Sequence, residues 1–314
     1  MTDIKIRIDA KEIITQKDRF ILDVARENNI DIPAICHEPE LERFGGCRLC
    51  IVEIINKGRS KIDTACSTRV YDGMEVQTKS DAIIKKRRQV LQLLLDSHPN
   101  DCLTCQKAGA CLLQKYAYEY DVKFRNHEGS KREEVYDLSS PYILKDNAKC
   151  ILCGKCVRVC AQIEERSILS FADRGYDSYI ACDLGNDFAN SYCISCNRCV
   201  SVCPVGALLD KRKIGKVREF EGEKKTVKCK VCEFGCNFEV HSKNGNNLAV
   251  TAKKPTEGRP LCLKGRMMTE LMYLDEPDSP YMKVQGDFIE SDFLTITGFK
   301  KAFQKMQELE SKEG

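Results

Sequence analysis

The chain has 314 residues, enough for two average domains, and holds twenty cysteines against twelve Phe, eleven Tyr and no Trp. Fifty Lys and Arg offset forty-seven Asp and Glu, for a formal net charge of +3 with no block of one sign, which excludes a nucleic-acid-binding stripe. The N-terminus MTDIKIRIDAKEI lacks the features of a signal peptide. The apolar run around Leu91 to Leu95 is far short of the roughly 18 residues a membrane span takes. A soluble, cytosolic protein is therefore expected, without membrane contact, and in that compartment dense cysteine means metal binding rather than disulfides.

The first stretch, IKIRIDAKEIITQKDRFILDVARENNIDIPAIC, reads as a strand with period-two alternation, a turn, a second strand and a short helix. It leads into Cys36, Cys47, Cys50 and Cys66, spaced C-x10-C-x2-C-x15-C. Gly45 and Gly46 let backbone N–H groups come close to a bound inorganic group. Four thiolates suit either a 2Fe-2S cluster or a tetrahedral zinc ion, and the spacing differs from the plant-type ferredoxin run. His37 reads as a surface or hydrogen-bonding residue rather than a ligand.

Next comes SDAIIKKRRQVLQLLLDSH, a helix whose Ile83, Ile84, Val90, Leu91, Leu94 and Leu95 share a face. It delivers His98 to HPNDCLTCQKAGAC, spaced H-x3-C-x2-C-x5-C through Cys102, Cys105 and Cys111. Three cysteines cannot close a four-ligand site. Either His98 is the fourth ligand, or it is a helix-terminal histidine facing the last carbonyls and the cysteines bind zinc or nothing.

The strongest signal is a repeat: CILCGKCVRVC (Cys150, Cys153, Cys156, Cys160) and CISCNRCVSVCP (Cys193, Cys196, Cys199, Cys203), both C-x2-C-x2-C-x3-C. In such doubled runs three thiolates wrap one cubane and the fourth reaches the other cluster. One 4Fe-4S set is then Cys150, Cys153, Cys156 and Cys203, and the other Cys193, Cys196, Cys199 and Cys160. Ala161 replaces the usual proline after the first run, and a spacer of 32 residues separates the halves. Cys182, inside the spacer, has no partner at ligand spacing and reads as a small buried hydrophobe.

The last group is Cys229, Cys232, Cys236 and Cys262, C-x2-C-x3-C-x25-C. Two β-ribbons holding four cysteines could be a zinc ribbon, which spacing alone does not exclude. Beyond it, YMKVQGDFIESDFLTITGFKKAFQKMQELE reads as a hairpin and a helix with Phe299, Phe303, Met306 and Leu309 on one face, either a docking surface or retained stub or a solvated tail.

Taken in order, these motifs resemble the iron-sulfur arm shared by complex I's large iron-sulfur subunit, NAD(P)-linked and electron-bifurcating hydrogenases, and NAD-linked formate dehydrogenases, over roughly residues 1 to 275. The resemblance implies an α+β multi-module chain. Its parts would be a β-grasp 2Fe-2S domain (1–79), a 4Fe-4S module ligated by one histidine, His98, and three cysteines (80–137), a two-cluster 4Fe-4S ferredoxin-like domain (138–218), a small molybdopterin-oxidoreductase-type 4Fe-4S domain (219–275) and a C-terminal stub or docking tail (276–314). It also implies that Lys264, after the last cysteine, corresponds to the basic residue between cluster and pterin. The cofactors would be one 2Fe-2S and four 4Fe-4S clusters. Nineteen thiolates against five oxidised cores of about +2 each would shift the formal charge by roughly −9, making the loaded protein mildly acidic.

No dinucleotide fingerprint or Walker motif is present, nor a hydrogenase H-cluster module or nickel-binding cysteine pair. The expected role is a non-catalytic electron relay among a flavoprotein NAD(P)H-oxidising subunit, ferredoxin and a separate catalytic subunit, of hydrogenase type first. The N-terminal piece of a split molybdenum or tungsten formate dehydrogenase is the second reading, and a zinc-rich scaffold the third.

Overall fold

The computed structural model describes residues 3–56, 58–99, 101–125, 135–252, 262–274, 281–284 and 287–290. Two compact units make up the chain: Met1–Asn100, Cys111–Lys131 and Ile151–Gly154 in the first, and Asp101–Ala110, Arg132–Cys150 and Lys155–Gly314 in the second.

In the first unit, strand β1 (Asp3–Ile8) buries Ile4, Ile6 and Ile8 and turns Asp3, Lys5 and Arg7 outward, as period-two alternation requires. It pairs antiparallel with β2 (Lys11–Gln16), and α1 (Ile21–Glu27) follows. With β3 (Ile51–Asn56), β4 (Arg59–Thr64) and β5 (Glu75–Gln77) these strands form one sheet, ordered β2-β1-β5-β3-β4, in which β1 and β5 run parallel. Helix α1 lays Ile21, Leu22, Val24 and Ala25 onto the sheet, in a core that also contains Cys50 and Cys66.

Helix α2 (Asp81–Asp96) starts where the Ser80 hydroxyl accepts from the Ile83 N–H at 3.4 Å. Its buried seam departs from the expected apolar face. Ile83 and Leu91 are buried, but Arg87 lies between them and donates to the Ile51 carbonyl at 2.7 Å and the Tyr120 hydroxyl at 2.8 Å. A cation can occupy an apolar seam when backbone and phenol oxygens take its protons. Helix α3 (Leu112–Glu119) follows.

The second unit contains β6 (Tyr136–Asp137), β7 (Ile143–Asp146), α4 (Lys155–Gln162), the antiparallel pair β8 (Leu169–Ala172) and β9 (Tyr179–Cys182), α5 (Arg198–Val202) and β10 (Leu208–Asp210). Strands β10, β7 and β6 form one sheet in that order. The spacer between the repeated cysteine runs is thus the β8–β9 hairpin and its flanks. Next, β11 (Glu223–Lys228), β12 (Asn237–Lys243) and β13 (Asn246–Ala252) make a single antiparallel sheet, and α6 (Leu263–Tyr273) begins at the last cysteine. One sheet and a helix, rather than the two ribbons of the zinc-ribbon alternative, form here, with Phe238, Val240, Val250 and Ala252 burying a common face. The hairpin β14 (Tyr281–Val284) and β15 (Asp287–Glu290) matches expectation, whereas the face of Phe299, Phe303, Met306 and Leu309 lies outside the described residues. Among the described residues no helix is long and apolar enough to cross a membrane.

On β12, His241 is 1% exposed and shares a hydrogen bond of 2.8 Å with the Thr251 hydroxyl. Burial, followed by the charges of Lys213 and Lys224, lowers its pKa to about 4. An unfolded histidine takes its proton near 6.5, so between about pH 6.5 and 4 the unfolded chain holds the extra proton and stability falls as pH falls. Thermal unfolding of the holoprotein across this window should lose up to about 1.4 kcal/mol per pH unit through this residue. His241→Asn should flatten the slope by that amount, measured by circular dichroism against the wild type.

Candidate metal centres

In the first unit the four leading cysteines converge. Cys36, Cys50 and Cys66 are buried and Cys47 is half-buried. They associate in pairs: the Cys36 thiol donates to Cys47 and the Cys50 thiol to Cys66. Each donation pushes the donor's pKa up and the acceptor's down, Cys47 to about 5 and Cys66 to about 7. Two adjoining pairs of sulfurs suit a group that takes four thiolates. The loop before Cys47 depends on Gly45, at φ 66°, in the left-handed region that residues with a Cβ rarely enter. At Gly46 a Cβ would run into the Phe44 ring.

His37, expected at the surface or as a hydrogen-bonding residue, is the latter and buried. Its Nδ1 lies 3.1 Å from Arg43 Nη1, and Arg43 pairs with Asp23. Burial, then Arg43 and Arg26, lower its pKa to about 4, so it acts as a neutral acceptor.

His98 follows α2, with its backbone N–H on the Leu95 carbonyl at 3.1 Å, and is buried. Its Nδ1 stands 3.1 Å from the Pro99 carbonyl. A carbonyl can only accept, so Nδ1 carries the proton and Nε2 the lone pair, the tautomer a ligating imidazole requires. Cys111 stands at the start of α3 in the same unit, while Cys102 and Cys105 belong to the second.

In the second unit, Cys105 is buried and its sulfur lies 2.9 Å from where a Cβ on Gly206 would stand. Lys149, near Cys105, is held by Asp101 at 2.7 Å and Asp146 at 3.4 Å. Cys150 and Cys156 share the charge of Lys145, and the Cys203 thiol donates to the Val205 carbonyl at 3.1 Å. Cys153 sits in the Ile151–Gly154 segment of the first unit.

Cys160, Cys193, Cys196 and Cys199 line one small cavity together with Glu164 and Arg198. Burial pushes the Cys196 and Cys199 thiols well up, so four thiolates would be untenable there without a compensating cation. The two runs match in backbone as well as spacing: Leu152 and Gly154 in the first, and Ser195 and Asn197 in the second, all have positive φ. Cys182 is 1% exposed on β9, as a packing residue would be.

The Cys229 N–H bonds the Cys236 carbonyl at 2.8 Å, closing a loop that leaves Cys232 exposed. Cys262 caps α6, its sulfur accepting from the Gly265 N–H at 3.3 Å. The charges of Cys229, Cys262 and Cys232 all raise the Cys236 thiol, after burial, so the four share one neighbourhood. Gly265 is its cradle: a Cβ there would stand 3.1 Å from the Cys229 sulfur and 3.4 Å from that of Cys262. Cys196 packs against the same core as Cys229 and Cys236. Lys264, two residues after Cys262, is half-buried.

Residues that spacing did not reveal connect these neighbourhoods. Asn197, inside the Cys193–Cys199 loop, donates to Asp210 at 3.0 Å and to the Tyr142 carbonyl at 3.2 Å. The same Asp210 oxygen accepts from Arg266 at 2.7 Å, and Arg266 also reaches Glu270 at 3.1 Å, with Arg212 on the other Glu270 oxygen. The Arg266 guanidinium lies 4.9 Å from the Tyr142 ring centre. The only trace of this network in the sequence is a polar or charged residue where a packed loop or helix would favour an apolar one.

Four family models match successive stretches: 2Fe-2S iron-sulfur cluster binding domain (residues 1–81), NADH-ubiquinone oxidoreductase-G iron-sulfur binding region (87–125), 4Fe-4S dicluster domain (149–207) and molybdopterin oxidoreductase Fe4S4 domain (223–274). The NADPH-Fe(3+) oxidoreductase subunit alpha of Geobacter sulfurreducens is 34% identical over 278 residues, 88% of this chain but 32% of that protein. The NAD-reducing hydrogenase HoxS subunit gamma of Cupriavidus necator is 31% identical over 67% of this chain and 88% of its own length. A solved chain of an NAD+-reducing NiFe-hydrogenase in the H2-reduced state aligns with TM-score 0.61 and 30% identity over 68% of this chain and 90% of that one. The chain belongs to the family of iron-sulfur subunits found in complex I, NAD(P)-linked hydrogenases and formate dehydrogenases. It is a mixed α/β protein carrying a 2Fe-2S domain and several 4Fe-4S domains.

Helix propensity alone would make Gly265→Ala stabilising by roughly 1 kcal/mol. Sulfurs that held a metal could not yield to the added methyl, so if Cys229 and Cys262 are ligands the opposite is expected: iron content falls by up to about four atoms per chain while the 2Fe-2S spectrum is unchanged, read by iron assay and visible circular dichroism.

Proposed function

We propose that the chain is the electron-relay iron-sulfur subunit of a cytosolic, multi-subunit, flavin-based NAD(P)H-linked oxidoreductase of hydrogenase type. It would carry electrons among a flavoprotein subunit, ferredoxin and a separate catalytic subunit. Iron-sulfur groups supply one-electron chemistry when bound; the polypeptide holds them, excludes water and sets their potentials.

The ligand sets are Cys36, Cys47, Cys50 and Cys66 for the 2Fe-2S group, with 4Fe-4S groups on His98, Cys102, Cys105 and Cys111; on Cys150, Cys153, Cys156 and Cys203; on Cys193, Cys196, Cys199 and Cys160; and on Cys229, Cys232, Cys236 and Cys262. Modules break near residues 79, 137, 218 and 275, and the five-stranded sheet with α1 is read as a β-grasp. The observation that supports a relay most is the packing of Cys196 on the core that holds Cys229 and Cys236, which brings two of these neighbourhoods into contact. The printed names of the Geobacter and Cupriavidus relatives favour an NAD(P)-linked partner.

A second reading, the electron-transfer piece of a molybdenum or tungsten formate dehydrogenase, draws on the match to the molybdopterin oxidoreductase Fe4S4 domain, with Lys264 facing the pterin of a partner. Anaerobic co-purification separates the two: nickel or a second iron-rich subunit for the first, molybdenum or tungsten for the second.

Anaerobically purified chain should contain about eighteen iron atoms, one 2Fe and four 4Fe groups, and should be bleached by dithionite but not by NAD(P)H until a flavoprotein is added. Colourless, iron-free protein would overturn the reading. Exchanging the neutral imidazole for a thiolate in His98→Cys makes its group one unit more negative and should lower that potential, as the reverse exchange raises it in Rieske centres. EPR-monitored titration checks this, and an unchanged potential removes His98 from the ligand set.

A further inference from the structure

Of the four cysteines in the first group, Cys36, Cys50 and Cys66 are buried and Cys47 alone is half-buried, so water comes nearest to the group on the Cys47 side. The segment in front of Cys47 is Phe44-Gly45-Gly46, and it folds back on itself. Gly45 turns in the left-handed region and lies against the segment after Cys66, where a Cβ on it would stand 3.8 Å from the Ser67 hydroxyl oxygen. The Phe44 ring, 42% exposed, comes down on Gly46. Apart from chain neighbours, the three atoms nearest to a Cβ placed on Gly46 all belong to that ring, with Cδ1 at 2.7 Å. The backbone leading into the ring is fixed as well: Arg43 pairs with Asp23, bonds His37 Nδ1 at 3.1 Å and lies 4.6 Å from the centre of the Phe20 ring. A large apolar side chain, more than half covered by protein, is thus held on the side where the sulfur set approaches solvent.

We propose that the Phe44 ring, seated on Gly46, is the solvent shield of the Cys36/Cys47/Cys50/Cys66 site and holds down the reduction potential of the group bound there. A group ligated by four thiolates is anionic and gains further negative charge on reduction. Water stabilises the more highly charged state, so shutting water out disfavours reduction. Glycine is not required at position 46 for backbone geometry, since its φ lies outside the left-handed region that Gly45 occupies. What the missing Cβ makes room for is the ring. The inference rests on reading the four cysteines as 2Fe-2S ligands.

The test uses the anaerobic holoprotein, with the 2Fe-2S group followed by visible circular dichroism and by EPR-monitored redox titration, the 4Fe-4S signals serving as internal reference. F44A should raise the potential of this group, shifting its equilibrium toward the reduced form about threefold or more, about 28 mV. It should also lose the 2Fe-2S circular dichroism to EDTA faster than wild type. G46A, which turns the ring aside without removing it, should do both as well, and decides the matter if F44A does not retain the group. Adding G46A to F44A should change nothing further. F44Y, which keeps the ring, should keep the wild-type potential. A wild-type potential and rate of loss in F44A, with iron content intact, overturn the proposal. So does a G46A effect that persists undiminished in the F44A background, because the added methyl would then be acting on the bound group itself. Wild-type protein without the 2Fe-2S spectrum would instead sink the reading beneath the inference.

Discussion

Sulfur anions gathered in a protein interior repel one another, and every other feature of this chain follows from how that repulsion is answered. All but one of the twenty cysteines fall into the spaced groups. Where the groups are buried, as at Cys196 and Cys199, desolvation and neighbouring sulfurs together hold the thiols in the protonated form. Converting them to thiolates requires positive charge in their midst, which iron would supply. Occupancy and folding of each module are then one equilibrium, and the small apolar core around the last group, Val227, Phe238, Val240, Val250 and Ala252, closes around sulfur as much as around hydrocarbon.

The protein does not rely on metal alone for order. Around the last two sulfur sets it places directed polar contacts where a larger domain would place leucine: Asn197 to Asp210, Asp210 to Arg266, Arg266 to Glu270. A buried network of this kind costs desolvation and offers little net stability over an apolar core. It offers direction in return, since each hydrogen bond admits a narrow range of geometry. Asn197 lies inside one cysteine loop and Arg266 four residues beyond the cysteine that opens α6, so the network fixes one sulfur set relative to the other. For the proposed relay, which would depend on separations, fixed distance would matter more than a few kcal/mol.

Much of this is legible in the sequence because cysteine spacing is a strict code. The alternation of Ile4, Ile6 and Ile8 announces β1, and the doubled C-x2-C-x2-C-x3-C run announces the grouping of Cys160 with Cys193, Cys196 and Cys199, which share one cavity. Periodicity fails where polar side chains occupy interior positions. Arg87 interrupts the apolar seam of α2 and is buried because Ile51 and Tyr120, distant in sequence, supply oxygens. His37 is compatible with an exposed position as long as its neighbour Arg43 is taken as a solvated charge, yet Arg43 is engaged by Asp23 and by the Phe20 ring, 4.6 Å away. In the final module the zinc-ribbon alternative stays open in the spacing because the cysteines punctuate the strands. The pairing of β12 with β13 is in fact marked locally by Asn244-Gly245, both at positive φ, whereas the pairing of β11 with β12 spans the Cys229–Cys236 loop, whose length hides it.

The residues between the ligands also carry information. In CILCGKC and CISCNRC the third and fifth positions both adopt positive φ, but the fifth is Gly154 in one run and Asn197 in the other. Glycine enters that conformation with little cost, whereas a residue with a side chain is strained there, and asparagine is among the few that adopt it readily. Only the second run uses the position to reach outward, through the Asn197 amide, to the strand end at Asp210 and from there to α6. The repeat is therefore matched in spacing and in these backbone positions and asymmetric in its surroundings. Like loops set in unlike surroundings present different electrostatics to whatever group each holds.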